Sequence, residues 1–329
     1  MVSMQRKFDL SGTIYTFLLQ KRSEAEITMA SNIPDYEILE PARESSSIIL
    51  SPKTKINWFV AIFLAFMAPT IFIILKNFFS DKIKGIRDVE HLLGRPILSV
   101  IYSNSYQNET AVYELPGSSI AESFRNLRSS LFLRFKSEPV KVILITSSQP
   151  QDGKSFISFN LAASIASVGY KTIILDCDLR RPTLHVKFKE ENSSGLSTYM
   201  IDHSSRENII QNTFVKNLSF IPAGPILPNS SELIESGALD ELISYLKENY
   251  EYILIDTTPS GIVADAALMI KYSNINLLIC RNNFTHKDVF SDVLNLFKTN
   301  RVENFDVVFN DLNIKESRYG RYNNYYKKP

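Results

Sequence analysis

Three short apolar runs, each closing on polar or acidic residues, constrain this chain more than any other feature. Val142-Ile143-Leu144-Ile145 reads as a strand buried on both faces, because no polar residue alternates with the apolar ones. It leads into Thr146-Ser147-Ser148-Gln149-Pro150-Gln151-Asp152-Gly153-Lys154-Ser155, and a helical pattern follows. A strand, a small-residue loop and a helix opening on Lys-Ser make a phosphate cradle. Backbone N–H groups and the helix N-terminus face the anion, Lys154 reaches the outer phosphates, and the Ser155 hydroxyl ligates Mg²⁺. Asp152, Gly153 and Phe156 flank that pair and are expected to touch the same ligand. Two further apolar runs, Ile173-Ile174-Leu175-Asp176-Cys177-Asp178 and Tyr252-Ile253-Leu254-Ile255-Asp256, end in carboxylates. A nucleotide site needs such acids at strand ends to hold Mg²⁺ directly or through water. One Gly-Lys-Ser alone says little. The three pieces together predict a site for ATP and Mg²⁺.

Strands and helices alternate around these runs. The patterns predict strands at 142–146, 172–176, 218–222, 252–256, 275–280 and 305–309. Helices are predicted at 153–168, 230–235, 238–249, 264–271 and 287–299, with Gly169 stopping the first. Upstream, 86–93 reads as a short helix, 97–101 as a strand, and 119 to about 135 as a helix opened by a Ser119/Glu122 capping box. Alternation of this kind predicts an α/β fold: a P-loop NTPase-like parallel sheet with helices on both faces and ligands at the carboxyl ends of the strands.

One transmembrane helix precedes that domain. Trp58 to Leu75 reads WFVAIFLAFMAPTIFIIL, without a charge over about 18 positions, and Pro69 is tolerable in a membrane helix. A buried core helix is the alternative. Lysines flank both ends, so charge bias barely orients the span; an ATP site on its C-terminal side places that side in the cytoplasm. The net charge of +1 over 329 residues gives no global field for nucleic acid. The two cysteines, Cys177 and Cys280, both lie in strand patterns and read as buried core residues in a reducing compartment.

At the N-terminus, Phe8, Leu10, Ile14, Phe17, Leu18 and Ile27 have helical spacing among charged residues, as in an amphipathic or coiled helix. Pro34 and Pro41 break the pattern, and Tyr36 to Leu39 reads as a short strand. At the other end Tyr319, Tyr322, Tyr325 and Tyr326 sit among Gly, Arg, Asn and Lys with no period that would bury them. A sticky terminus and a phosphoacceptor tail both fit.

These residues resemble the bacterial tyrosine kinases of the polysaccharide co-polymerase (chain-length-determinant) family. The pieces that carry the likeness are TSSQPQDGKS at 146–155, DCDLRRP at 176–182, ILIDTTP at 253–259, the ExxRxxR spacing of Glu122, Arg125 and Arg128, and the tyrosine cluster. The resemblance implies a membrane-anchored, ATP-dependent tyrosine autokinase regulating capsule or exopolysaccharide assembly and export, in the bacterial inner membrane with the kinase domain cytoplasmic. It implies these parts: 1–55 as the remnant of an extracytoplasmic chain-length-determinant domain, 56–76 as the membrane helix, 77–116 as a juxtamembrane linker, 117–311 as the kinase domain and 312–329 as the tail. The chain would then be an N-terminally truncated form of the family protein.

By the same resemblance, Lys154 is catalytic. Asp176 and Asp178 form a second Walker motif, one supporting Mg²⁺ and the other orienting or deprotonating a tyrosine hydroxyl. Asp256 acts on Mg²⁺ mainly through water. Arg180 and Arg181 contact phosphate or serve the surface, Asp265 supports the Asp256 region, and Asn310 contacts the base. His185 reads as structural. Glu122, Arg125 and Arg128 share one helix face; on spacing alone that is an intrahelical ion pair, whereas the family likeness implies an oligomerisation face. A ring would place one protomer's tail in the next protomer's site. Implied partners are the chain itself, polysaccharide polymerase and export proteins, a cognate tyrosine phosphatase and the membrane, with no nucleic acid. Gln151 departs from the family's usual glycine and Thr258 from a frequent proline. A positive φ at Gln151 would weaken phosphate binding. An ATP-responsive scaffold of the export machinery and a partition-type ATPase are the alternative functions.

Overall fold

The computed structural model describes residues 2–31, 53–78, 81–104, 109–134, 139–202, 205–226, 230–235, 237–260 and 265–313. They fall into two units, Met1–Phe78 and Phe79–Pro329. The first unit contains α1 (Val2–Ser31) and α2 (Thr54–Phe78). The apolar side chains of α1, Phe8 and Phe17 among them, are exposed. Within α2 the stretch Thr54–Leu75 is long and apolar enough to cross a bilayer, and none of its apolar window is buried in protein. At about 1.5 Å per residue this stretch matches a hydrocarbon layer about 30 Å thick. The strand expected at Tyr36 to Leu39 lies outside the described residues, as do Pro34 and Pro41.

The second unit alternates as the sequence predicts. In chain order it contains α3 (Ile86–Leu93), β1 (Ser99–Tyr102), α4 (Ala111–Glu114), α5 (Ser119–Arg134), β2 (Lys141–Ser147), α6 (Lys154–Ala166) and β3 (Thr172–Asp176). Next come α7 (Leu184–Phe188), α8 (Leu196–Asp202), α9 (Arg206–Ile209), β4 (Gln211–Asn212), β5 (Leu218–Ile221), α10 (Ser230–Glu235), α11 (Ala238–Asn249) and β6 (Tyr252–Asp256). The rest is α12 (Asp265–Met269) with a 3₁₀ turn (Ile270–Tyr272), β7 (Ile275–Arg281), α13 (Lys287–Thr299) and β8 (Phe305–Leu312). The strands form one sheet in the order β1-β8-β7-β2-β6-β3-β5-β4. All neighbours are parallel except β4, which returns antiparallel on the edge.

Both faces of the sheet are covered, which is why the central strands are apolar without alternation. Ile143, Ile145 and Ile174 pack against Phe124, Leu127 and the apolar side of α6. Val142, Leu144 and Ile173 point the other way, against Leu196 of α8 and Leu239, Leu242 and Leu246 of α11. On that second side Leu278 and Cys280 meet Phe290, Val293 and Phe297 of α13. Both cysteines are buried and free.

Within 77–116 the helix expected at 86–93 and the strand expected at 97–101 are α3 and β1, the short α4 is added, and β1 pairs with β8 at the sheet edge, Ser99 opposite Val308. One expectation changes. The helix cap is Ser118 rather than Ser119. Its Oγ accepts the Ala121 N–H at 3.2 Å, while Glu122 turns to Arg125 instead of back to the helix start.

Candidate active site

β2, β6 and β3 are adjacent, and their register aligns Ile145 and Asp176 with Asp256. The loop after β2 and two acidic strand ends therefore meet at one carboxyl edge. Lys154 Nζ lies 3.1 Å from Asp256 Oδ2 and 3.5 Å from Asp178 Oδ2. Ser155 Oγ donates to Asp256 Oδ2 at 2.7 Å, and Ser158 Oγ donates to the other Asp256 oxygen at 2.8 Å. Asp176 is fully buried; its oxygens accept the N–H groups of Asp178 and Leu184, both at 3.2 Å. Asp178 stands nearer the surface and accepts the Arg181 N–H at 3.1 Å. Lys154, Ser155, Asp178, Arg180 and Arg181 line an open cavity of about 620 Å³.

Three carboxylates share one ammonium in a dry setting, and the ionisation behaviour follows. Burial, reinforced by Asp256 and Asp178, pushes the Asp176 carboxyl up to about 8 against the pull of Lys154. Burial also raises Asp178. Burial alone would lower Lys154, but the surrounding carboxylates outweigh it and hold its ammonium above the ordinary value. The cluster has more anionic than cationic groups and so favours an added cation. Among the described residues no group of three or more His, Cys, Asp or Glu side chains forms a metal cage by itself. A hydroxyl, nearby carboxylates and hard oxygen donors nevertheless suit Mg²⁺, which keeps water and takes substrate phosphate oxygens. Thr258 lies in the same cavity wall, and its Oγ1 is buried without a hydrogen-bond partner among the described residues, a polar group open to a ligand.

The phosphate loop has a strained point. Gln151 has φ 69°, the left-handed region that costs a side-chain-bearing residue about 1–2 kcal/mol. Gly153 has φ 95°, and a Cβ there would lie 2.2 Å from Asn310 Nδ2. Asp152 turns its carboxylate inward, away from the cavity, to accept from Thr285 Oγ1 (2.6 Å), Ser148 Oγ (3.2 Å) and the Gln149 N–H (3.2 Å). Burial lifts it to about 6 despite these donors. β8 carries one residue more than β1 between Val100 and Tyr102, with Asp311 at φ 62°, and beside this bulge Asn310 stays in register with Arg281 of β7. Asn310 donates its side-chain amide N–H to the Asp152 carbonyl at 2.8 Å. With Phe156, Tyr102, Asn104 and Arg281 it lines a smaller cavity of about 190 Å³ beside Gly153.

The structure thus gathers Lys154, Ser155, Gly153, Phe156, Asp176, Asp178, Asp256 and Asn310 around one loop. Others lie elsewhere. Glu122 and Arg125 pair at 2.8 Å on α5, the local ion pair that spacing alone predicts. Arg128 Nη1 instead donates to the Ser164 carbonyl in the last turn of α6 at 2.5 Å. Tyr319, Tyr322, Tyr325 and Tyr326 lie outside the described residues. His185 Nδ1 is buried without a hydrogen-bond partner among the described residues. The sequence reading missed Thr183, whose Oγ1 donates to Ser155 Oγ at 3.0 Å, and the whole turn 281–286 behind the loop. A lone Thr and an Arg at a strand end carry no periodic signal.

Fold and site together define a P-loop nucleotide-binding α/β domain, and the AAA-domain family model matches residues 140–307. Tyrosine-protein kinase YwqD of Bacillus subtilis is 31% identical, over 67% of this chain and 93% of its own length. Tyrosine-protein kinase ptk of Acinetobacter johnsonii is 28% identical over 97% of this chain but 45% of its own, so the chain spans about half of that relative. The crystal structure of the chimerical protein CapA2B2 superposes with a TM-score of 0.65 at 37% identity, covering 70% of this chain and 100% of that one. The chain belongs to the bacterial tyrosine-kinase family.

Proposed function

We propose that this protein is a membrane-anchored, ATP-dependent tyrosine autokinase acting in capsule or exopolysaccharide assembly. The observation that carries the reading is the convergence of Lys154, Ser155, Asp178 and Asp256 within hydrogen-bonding reach at one strand edge. ATP is the substrate, its phosphates along the loop and its base beside Asn310 and Phe156. Ser155 Oγ and Asp256 would hold Mg²⁺, with Asp176 behind them; bound there, the ion neutralises charge on the transferring phosphoryl oxygens. Lys154 releases its carboxylate partners and binds the outer phosphates.

Asp178 suits the base. It faces the open cavity, and its raised affinity for protons favours accepting one from a tyrosine hydroxyl. Asp176 is pinned by two N–H groups and buried, which suits orientation rather than proton transfer. The tyrosine oxygen bonds to the γ-phosphorus as the bridging P–O bond breaks, the proton passes to Asp178, and ADP leaves. The acceptors in this reading are Tyr319, Tyr322, Tyr325 and Tyr326 of a neighbouring copy. Glu122 and Arg125 would supply a face for a ring of copies, and Arg128 would brace that face from within. α2 anchors the protein in the inner membrane with the kinase unit in the cytoplasm. Polymerase and export proteins and a cognate tyrosine phosphatase are its partners.

The positive φ at Gln151 favours a second reading, an ATP-binding scaffold with slow transfer. Incubation with γ-labelled ATP and Mg²⁺ separates them. Label on tyrosine that disappears in Lys154→Met and on removal of 317–329 supports the kinase. ADP binding without label supports the scaffold.

A further inference from the structure

The phosphate loop leans on the turn between β7 and α13, a turn that no sequence motif singles out. Arg281 Nη1 donates to the Gln151 carbonyl at 3.2 Å while its Nε holds Asp311 at 2.9 Å. Thr285 Oγ1 donates to Asp152 Oδ1 at 2.6 Å and accepts the Arg281 N–H at 2.7 Å. The His286 N–H donates to Gln149 Oε1 at 3.3 Å. These contacts fall on the part of the loop that needs holding, because Gln151 lacks the glycine freedom its φ of 69° calls for.

The turn is itself fixed from behind. The Ile83 N–H donates to the Thr285 carbonyl and the Asn283 N–H to the Ile83 carbonyl, both at 2.9 Å, and the Lys287 N–H donates to the Asp81 carbonyl at 2.7 Å. Ile83 is fully buried. A group positions its neighbour only when its own support is stiff, and this turn has that support.

We propose that Arg281 and Thr285 are positioning residues for nucleotide binding: they hold Gln151 and Asp152 so that the loop's backbone N–H groups present themselves to phosphate. Neither reaches the reacting atoms. The inference deepens the nucleotide-site reading above and rests on it for its ligand.

The test is ADP binding to the full chain in detergent with magnesium chloride, by calorimetry, beside amide hydrogen exchange of residues 150–154 without nucleotide. Thr285→Val keeps the side-chain shape and removes the hydroxyl; Thr285→Ser keeps the hydroxyl. Losing one buried hydrogen bond to the loop corresponds to roughly tenfold. Thr285→Val and Arg281→Met should each weaken ADP binding by about that factor and speed exchange at 150–154, while Thr285→Ser stays close to the parent. Adding Gln151→Gly to Arg281→Met should restore most of the affinity, since glycine reaches the required φ unaided; a general structural defect gives no such rescue. ADP binding within twofold of the parent in both Thr285→Val and Arg281→Met, or unchanged exchange at 150–154, overturns the proposal. Should the parent chain bind no ADP, the nucleotide reading fails, and the exchange measurement still decides whether the turn holds the loop.

Discussion

Replacing Gly153 by alanine tests the loop geometry most directly. Its φ of 95° is one penalty, about 1–2 kcal/mol for a residue with a Cβ. The second is steric: the new Cβ would stand 2.2 Å from Asn310 Nδ2, so the Asn310 side chain must move and give up its 2.8 Å bond to the Asp152 carbonyl. A buried hydrogen bond of that kind contributes about 1 kcal/mol. Alanine restricts the unfolded chain and returns about 0.5–1 kcal/mol. The net loss should be about 1–2 kcal/mol, read as a lower urea midpoint by far-UV circular dichroism of the full chain in detergent. Asn310→Ala separates the two penalties. In that background the clash and the bond are already gone, so Gly153→Ala should cost only its conformational share, and the double-mutant cycle should show about 1 kcal/mol of coupling. A loss below about 0.5 kcal/mol for Gly153→Ala, or strict additivity in the cycle, refutes the reasoning.

Three further outcomes follow from the same contacts. Asp256→Ala leaves the Lys154 ammonium buried without its nearest carboxylate and should destabilise the protein by about 3 kcal/mol, measured by urea unfolding. Asp152 and Asp176 have folded values raised to about 6 and about 8, against about 3.9 for a free Asp, so each favours the folded state in its protonated form. Their contribution is full below about pH 4 and is lost as pH rises through those folded values. Without nucleotide the urea midpoint should therefore rise between pH 8 and pH 5, and Asp152→Asn should flatten the part of that rise near pH 6; a midpoint that falls over this interval contradicts the assignment. Arg128→Ala removes an α5 cation that sits against the last turn of α6 and donates to the Ser164 carbonyl, so it should lower stability by about 1–2 kcal/mol at dilute, monomeric concentration. A variant that changes only assembly, with an unaltered monomer, would assign Arg128 to the interface alone.

Much of the molecule was legible in advance. The strands at 172–176 and 252–256 and the helix at 287–299 have the predicted bounds, because continuous apolar runs and helical stripes are local signals. Elements without such a signal were not: α4, α7 and α9 are single turns, and β4 is a two-residue edge strand. Ser155, Lys154 and the acids were legible because their chemistry follows from residue type at a strand end. The inward turn of Asp152 was not, since its partner Thr285 is 133 positions away.

The sequence by itself determined the phosphate loop, the buried parallel strands, the acids at their ends and the apolar helix, because each depends on the character of neighbouring residues along one stretch of chain. Tertiary structure alone decided that Gln151 takes a positive φ, that Asn310 meets the loop at the Asp152 carbonyl, that residues 99–102 complete the sheet edge, and that the turn at 281–286 braces the site. Those features arise from contacts between distant segments, where packing and hydrogen-bond satisfaction select one arrangement and no local pattern records it.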